Sequence, residues 1–182
     1  MALINRTVIL GVKSLRFARN GAADGEDTTA ADHKPLTASA AYESLGRVEK
    51  ASLTNKEESI KIRNASSGAY KNELSIPMGQ ELSLGFTMQS LNQLLLELLY
   101  LTDGPITVAT PIQPMNKKTS VQGWLEVTRT DQTKTNTLVE FVWVELSMSK
   151  HDTAEKAYTQ ELMAEVLDNP LNTLNIAALA AN

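Results

Sequence analysis

"ELSLGFTMQSLNQLLLELLYLTDGP", residues 81–105, obeys two periods in succession. Leu82, Leu84, Phe86 and Met88 alternate with Glu81, Ser83, Gly85 and Thr87, the period of a strand with one apolar face. From Ser90 the apolar residues fall at Leu91, Leu94, Leu95, Leu98 and Leu99, which is helical spacing. Ser90 with Gln93 three residues on reads as a capping box, and Gly104-Pro105 as the stop. The stretch therefore predicts a strand running into one leucine-rich helix over 91–102. Leu96 and Tyr100 lie off the main stripe, so this helix asks for cover on more than one side.

Working outward, the other signals are those of strands. "TVILGV" (7–12), "LGRVEKASL" (45–53), "SIKIR" (59–63) and "YKNELSI" (70–76) alternate at least in part. Thr54–Glu58 and "NASSG" (64–68) read as turns, and Pro77 and Gly79 as the break before strand 81–88. "VQGWLEVTRT" (121–130) and "TLVEFVWVELSMS" (137–149) predict a long antiparallel hairpin across "DQTKTN". In 137–149 one side carries Leu138, Val142, Val144, Leu146 and Met148, interrupted by Glu140. The other carries Val139, Phe141 and Trp143, with Glu145, so both faces expect cover. In 81–88 the second face (Glu81, Ser83, Gly85, Thr87) is small and polar, a wall against water. Residues 20–42 and 105–120 read as long loops, the first with little to bury.

Residues 151–182 differ in character. They carry Asp152, Glu155, Glu161, Glu165 and Asp168 against one lysine, a charge of −4 that equals the net charge of the 182-residue chain. "TAEKAYTQELMAEVL" (153–167) reads as an amphipathic helix with Tyr158, Leu162 and Val166 in a row, stopped by Asn169-Pro170. The organisation expected is a β domain over 1–150 and an acidic C-terminal extension over 151–182. The fold class is mainly β with one helix: an antiparallel sandwich or barrel flanked by a central helix.

Composition narrows the function. The net charge lacks the basic face a general nucleic-acid binder needs. With no cysteine there are no disulfides or thiolate metal sites. No stretch reaches the roughly 18 apolar residues of a membrane helix. The apolar run in "RTVILGVKSLRFAR" is short and is followed by Lys13, Arg16 and Arg19, so it reads as a strand rather than a signal peptide. His33 and His151 lack partners at metal-ligand spacing, and no G-x-S-x-G elbow accompanies them. "GAADG" (21–25) lacks the strand-then-helix setting of a phosphate loop. Lys117-Lys118 and Glu57-Glu58 read as solvated loop pairs, and Trp124 and Trp143 as core. No catalytic, metal or cofactor grouping emerges, and the reading is a non-enzyme.

The order of elements over 44–150 resembles a family. "LGRVEKASLTNKEESIKIR", then "ELSLGFTMQSLNQLLLELLYLTDG", then a hairpin ending "FVWVELSMSK" is similar to the major tail tube proteins of tailed bacteriophages. The resemblance implies two sheets packed as a sandwich or barrel with one helix. It implies hexameric rings whose sheets join to line a tube, and stacking of those rings into the conduit for genome ejection. Partners implied are further copies of the chain, with the tape-measure protein and passing DNA in the lumen. Tail initiator, terminator or sheath proteins are further candidates. The protein is then a virion component assembled in the host cytoplasm. On this reading Glu81, Ser83 and Thr87 face the lumen. Leu91, Leu94, Leu95, Leu98 and Leu99 form the helix core, and Leu96 and Tyr100 meet a neighbouring subunit. Two other readings stay open: another ring-forming tail or injection-system tube component, and a monomeric β-rich enzyme or binding module with a pocket at Trp124 or Trp143.

Overall fold

A computed structural model describes residues 11–25, 27–66, 69–89, 92–100, 120–130, 137–154 and 157–175. The architecture is mainly β with a single helix, as the alternation predicts. Strands β1 (Gly11–Arg19), β4 (Tyr42–Ser44), β5 (Val48–Ser66), β6 (Ala69–Met88), β7 (Ser120–Thr130), β8 (Thr137–Ala154) and β9 (Ala157–Val166) form one antiparallel sheet in the order β4-β1-β7-β8-β9-β6-β5. β10 (Thr173–Asn175) also pairs with β8, and the two-residue strands β2 (Ala23–Asp24) and β3 (Asp27–Thr28) pair with each other. The helix α1 spans Gln93–Tyr100.

The sheet curls around its core. Leu15 and Phe17 of β1 share one apolar cluster with Leu84, Phe86 and Met88 of β6, although three strands of the order (β7, β8 and β9) lie between them. β1 and β5 come within 8 Å of each other across the opening. On the concave side Leu125, Val127, Val144, Leu146 and Leu162 complete the cluster, and α1 lowers Leu94, Leu95 and Leu98 into it. All three leucines are buried as the spacing predicts. The helix is thus the lid of the concave face.

α1 is also tied by charge. Glu97 is 3% exposed, and its carboxylate accepts from the Arg19 guanidinium on β1. The cap differs from the expected one. Asn92 Oδ1 accepts from Leu95 N at 2.8 Å, so Asn92 fills the N-cap. Ser90, Leu91 and residues 101–102 lie outside the described residues, as do the expected loops 105–119 and 131–136.

Two expected breaks are absent. Thr54–Glu58 is not a turn but part of β5, a strand of 19 residues, whereas the turn expected at 64–68 falls where β5 ends at Ser66 and the antiparallel β6 begins at Ala69. Pro77 and Gly79 lie inside β6, a strand of 20 residues. The reason is pairing. β6 meets β9 only over Leu82–Met88, while its outer part meets β5 alone. Proline, which has no N–H to give, is tolerated where one side of a strand is unpartnered, and the register shifts between Glu58 and Ser59 opposite it. Ala69–Glu81 with Lys56–Ser66 is therefore a two-stranded arm, roughly 40 Å of extended chain.

The helix expected over 153–167 is a correction. Its residues 157–166 are β9, in the interior of the sheet between β8 and β6, and His151 lies in β8 rather than at a helix start. Gln160, Leu162 and Ala164 are buried while Glu161, Met163 and Glu165 are exposed, a period of 2. Tyr158, Leu162 and Val166 recur every four residues, an even interval that fits strand and helix alike. Pairing on both sides then outweighs helix propensity.

Segment 20–42 also departs from expectation. It folds back over the convex side of β1, β7 and β8, with Thr29 fully buried and Ala41 and Tyr42 nearly so. Trp124 and Trp143 meet edge to face with centroids 5.5 Å apart, in a second cluster with Ala18, Ala41, Tyr42 and Phe141. Trp124 Nε1 donates to Ala30 O at 2.8 Å, and Asn169 Nδ2 to Ala31 O at 2.7 Å. The core reading of both tryptophans holds.

Candidate assembly surface

The convex side of the sheet divides into two halves. Over β1, β7 and the first half of β8 it is covered by segment 20–42, with Leu167 packed against the same cluster. Over β5, β6, β9 and the second half of β8 nothing among the described residues covers it. The registers place its residues in rows: Lys50, Ser52, Thr54 and Lys56 on β5 stand opposite Thr87, Gly85, Ser83 and Glu81 on β6. Thr87, Gly85 and Ser83 in turn stand opposite Glu161, Met163 and Glu165 on β9, and Glu165 opposite Glu145 on β8.

Glu81, Ser83 and Thr87 thus share one face, with Glu81 exposed and Ser83 and Thr87 half-buried. Leu84, Phe86 and Met88 are on the opposite face, each at most 3% exposed. The division made by alternation is the division in space. The face is polar and weighted to acid. Lys56 Nζ meets Glu81 Oε2 at 3.4 Å, while Ser120 and Gln122 donate to the Glu145 carboxylate. Gly85 opens a groove of about 500 Å³ between Lys50, Thr87, Glu161 and Met163. A Cβ at Gly85 would stand 2.6 Å from Ser52 Oγ, so a larger residue here would turn the serine hydroxyl aside and narrow the groove.

Among the described residues, neither margin of this face has a strand partner along its whole length. β5 forms a ladder with β6 on one side, and no described strand pairs with its other side. β7 pairs with β8 only as far as Ser147, and β8 continues to Ala154. Leu53, in the first third of β5 and opposite Leu84, points to the concave side and is 61% exposed. On α1, Leu96 and Leu99 are half-buried and Tyr100 is 42% exposed, so Leu99 belongs less to the core than its spacing suggested. Sequence reasoning named Leu96 and Tyr100 but missed Leu53, because a lone leucine between Lys50 and Lys56 breaks no pattern.

The ionisable groups outside this face do structural work. Arg16 pairs with Glu126 across β1 and β7 and lies over the Tyr42 ring. Burial, with the nearby charge of Glu126, pushes the Tyr42 phenol above its ordinary range. His33 Nε2 stands 3.6 Å from Asp24 Oδ2 and 3.9 Å from Asp27 Oδ2. Among the described residues no group of three or more His, Asp or Glu is placed to hold a metal ion, and no helix is long and apolar enough to cross a membrane. Lys117 and Lys118 lie outside the described residues.

No protein-family model and no curated protein matches this chain.

Proposed function

We propose that this protein is a structural subunit that closes into rings and stacks them into a tube, as a tail tube protein of a bacteriophage does. The observation that carries the reading is the polar face that no described residue covers, bounded by β5, whose outer side no described strand pairs. An edge of this length invites pairing with a further chain. Pairing with a different surface of the next copy makes a head-to-tail contact, which closes into a ring when the rotation allows.

On this reading the bare face lines the lumen, with Glu81, Ser83 and Thr87 turned to it. Its acid-weighted surface gives a passing polyanion little to bind, so DNA slides past. The tape-measure protein occupies the same channel before ejection. The β5/β6 arm leaves the sheet at one end and is long enough to reach a subunit of the next ring. The protein is then a virion component, assembled in the host cytoplasm with tail initiator, terminator or sheath proteins. It does no catalysis and carries no cofactor.

Negative-stain microscopy of the purified protein at high concentration tests the proposal, with and without tail initiators. Rings or tubes are expected. A species that remains monomeric near 20 kDa under all these conditions overturns it. Replacing Ser83 and Thr87 with lysine should leave assembly intact and hinder DNA passage. Unfolding of that variant would refute the face assignment.

A further inference from the structure

We infer that Asn20 is a site of self-catalysed deamidation, opened and shut by segment 20–42, and that the isoaspartyl product holds this segment off Trp124. The inference stands on the segment alone and does not depend on the ring.

Asn20-Gly21 is the only Asn-Gly pair among the 182 residues. Glycine has no Cβ to keep its nitrogen away from the side chain before it. The Gly21 nitrogen attacks Cγ of Asn20. A C–N bond forms, the bond to the side-chain nitrogen breaks, and ammonia leaves with the proton given up by the Gly21 amide. Water then opens the cyclic imide at either carbonyl. The products are aspartate at position 20 and isoaspartate, whose backbone runs through the side-chain carbons and is longer by one carbon. Water is the only co-reactant.

The closed chain offers the side-chain amide and withholds the nucleophile. Asn20 is exposed, beside a hollow of about 290 Å³ that it lines with Ser120 and Gln122. The Gly21 N–H, however, donates to Thr29 O at 2.8 Å, and Thr29 N donates to Ala22 O at 2.8 Å. Ala22 N closes a turn on Arg19 O at 3.0 Å, with Gly21 at φ 86°, the left-handed value of a type II turn. These bonds fix the Gly21 amide against Thr29, so attack waits for them to part. Two tethers resist the parting: Trp124 Nε1 donates to Ala30 O and Asn169 Nδ2 to Ala31 O.

The change runs one way. The imide has no N–H, and the longer isoaspartyl backbone cannot close the Arg19–Ala22 turn in the same geometry. Either form leaves the carbonyl of Thr29, a residue with no exposed surface, without the Gly21 donor. The segment that lay over Trp124 is then held open. Position 20 thus records the time each chain has spent unlatched.

The full chain is incubated at mildly alkaline pH, folded and in concentrated urea. The tryptic peptide Asn20–Arg47 is weighed for the gain of one mass unit and probed with isoaspartyl methyltransferase. Conversion at Asn20 is expected in urea, and about tenfold more slowly or less in the folded chain, since only the open fraction reacts. Asn169→Asp keeps the acceptor for Leu171 N and loses the donor to Ala31 O. It should raise the folded rate about threefold or more and leave the urea rate unchanged. Where this variant does not fold, urea below the unfolding transition supplies the opening and should raise the rate of the unmodified chain. Folded chain enriched in isoaspartate should show red-shifted tryptophan emission. No conversion of Asn20 in urea means that there is no site. Equal rates in folded and unfolded chain, or a folded rate indifferent to the lost tether and to dilute urea, overturn the gate. Unshifted emission from the isoaspartyl chain overturns the trapping.

Discussion

Removing the Arg19 side chain tests what holds α1 in place. Glu97 is 3% exposed at its side chain and Arg19 27%, so the carboxylate is the desolvated partner. Breaking a buried pair by removing one member costs about 3–5 kcal/mol, because the other charge stays behind. Water reaches Arg19, so Arg19→Met is expected near the lower limit, about 3 kcal/mol. For a chain of this size that corresponds to a fall in Tm of roughly 6–12 °C. Glu97→Gln removes the buried charge itself and should cost less, about 1–2 kcal/mol. The double variant Arg19→Met/Glu97→Gln should recover most of the loss of Arg19→Met, because no unpaired charge is then left buried. Thermal melts of dilute monomer by circular dichroism supply the four corners of the cycle. If the single losses simply add in the double variant, the pair is not coupled and the leucines alone anchor the helix.

Leu95→Ala, at a fully buried position, should destabilise the monomer by about 2–5 kcal/mol in denaturant titration. Gly123→Ala should be worse tolerated than its size suggests, because the added Cβ would stand 2.5 Å from the Phe17 ring and press on the Ala18 carbonyl; the readout is soluble yield and Tm. Tyr42 keeps its proton more tightly folded than unfolded, so its contribution is full below about pH 10 and fades above it. Tyr42→Phe should flatten the fall of Tm above about pH 10, and an unchanged slope would assign that fall elsewhere. Leu96→Asp should melt like the unmodified chain and fail to sediment as polymer. A much lower Tm would make Leu96 a core residue.

The parts of the fold that could be read from the chain are those where one pattern excluded the other. Leu82–Met88 alternate without ambiguity, and Leu94, Leu95 and Leu98 fit only a helix. The β7/β8 hairpin was legible because both strands are long and one short polar loop joins them. β9 was not, since Tyr158, Leu162 and Val166 satisfy both periods and only pairing with β6 and β8 decides between them. The unbroken β5 and β6 were hidden by residues that usually mark turns. Pro77 is accommodated by an arm with one partner per strand, a property of topology rather than of local sequence. The folded-back segment 20–42 was missed for a similar reason: small residues such as Thr29 and Ala41 are buried by what lies above Trp124, not by their own hydropathy. At the candidate surface the polar face was legible from alternation, whereas the place of β5 at its margin follows from strand order.

Strand order also sets the tempo of folding. The β5/β6 hairpin joins neighbours in sequence and can zip from its turn within microseconds. The β1/β7 ladder, which brings Arg16 to Glu126, 110 positions further along the chain, must wait for most of the chain to be collected. High contact order of this kind moves folding toward milliseconds to seconds. Trp124 leaves water only when β1 and segment 20–42 arrive, so indole fluorescence should clock the final step. Until then the finished β5 edge is already bare in an unfinished molecule, and crowding during synthesis decides whether it meets a completed neighbour or another half-folded chain.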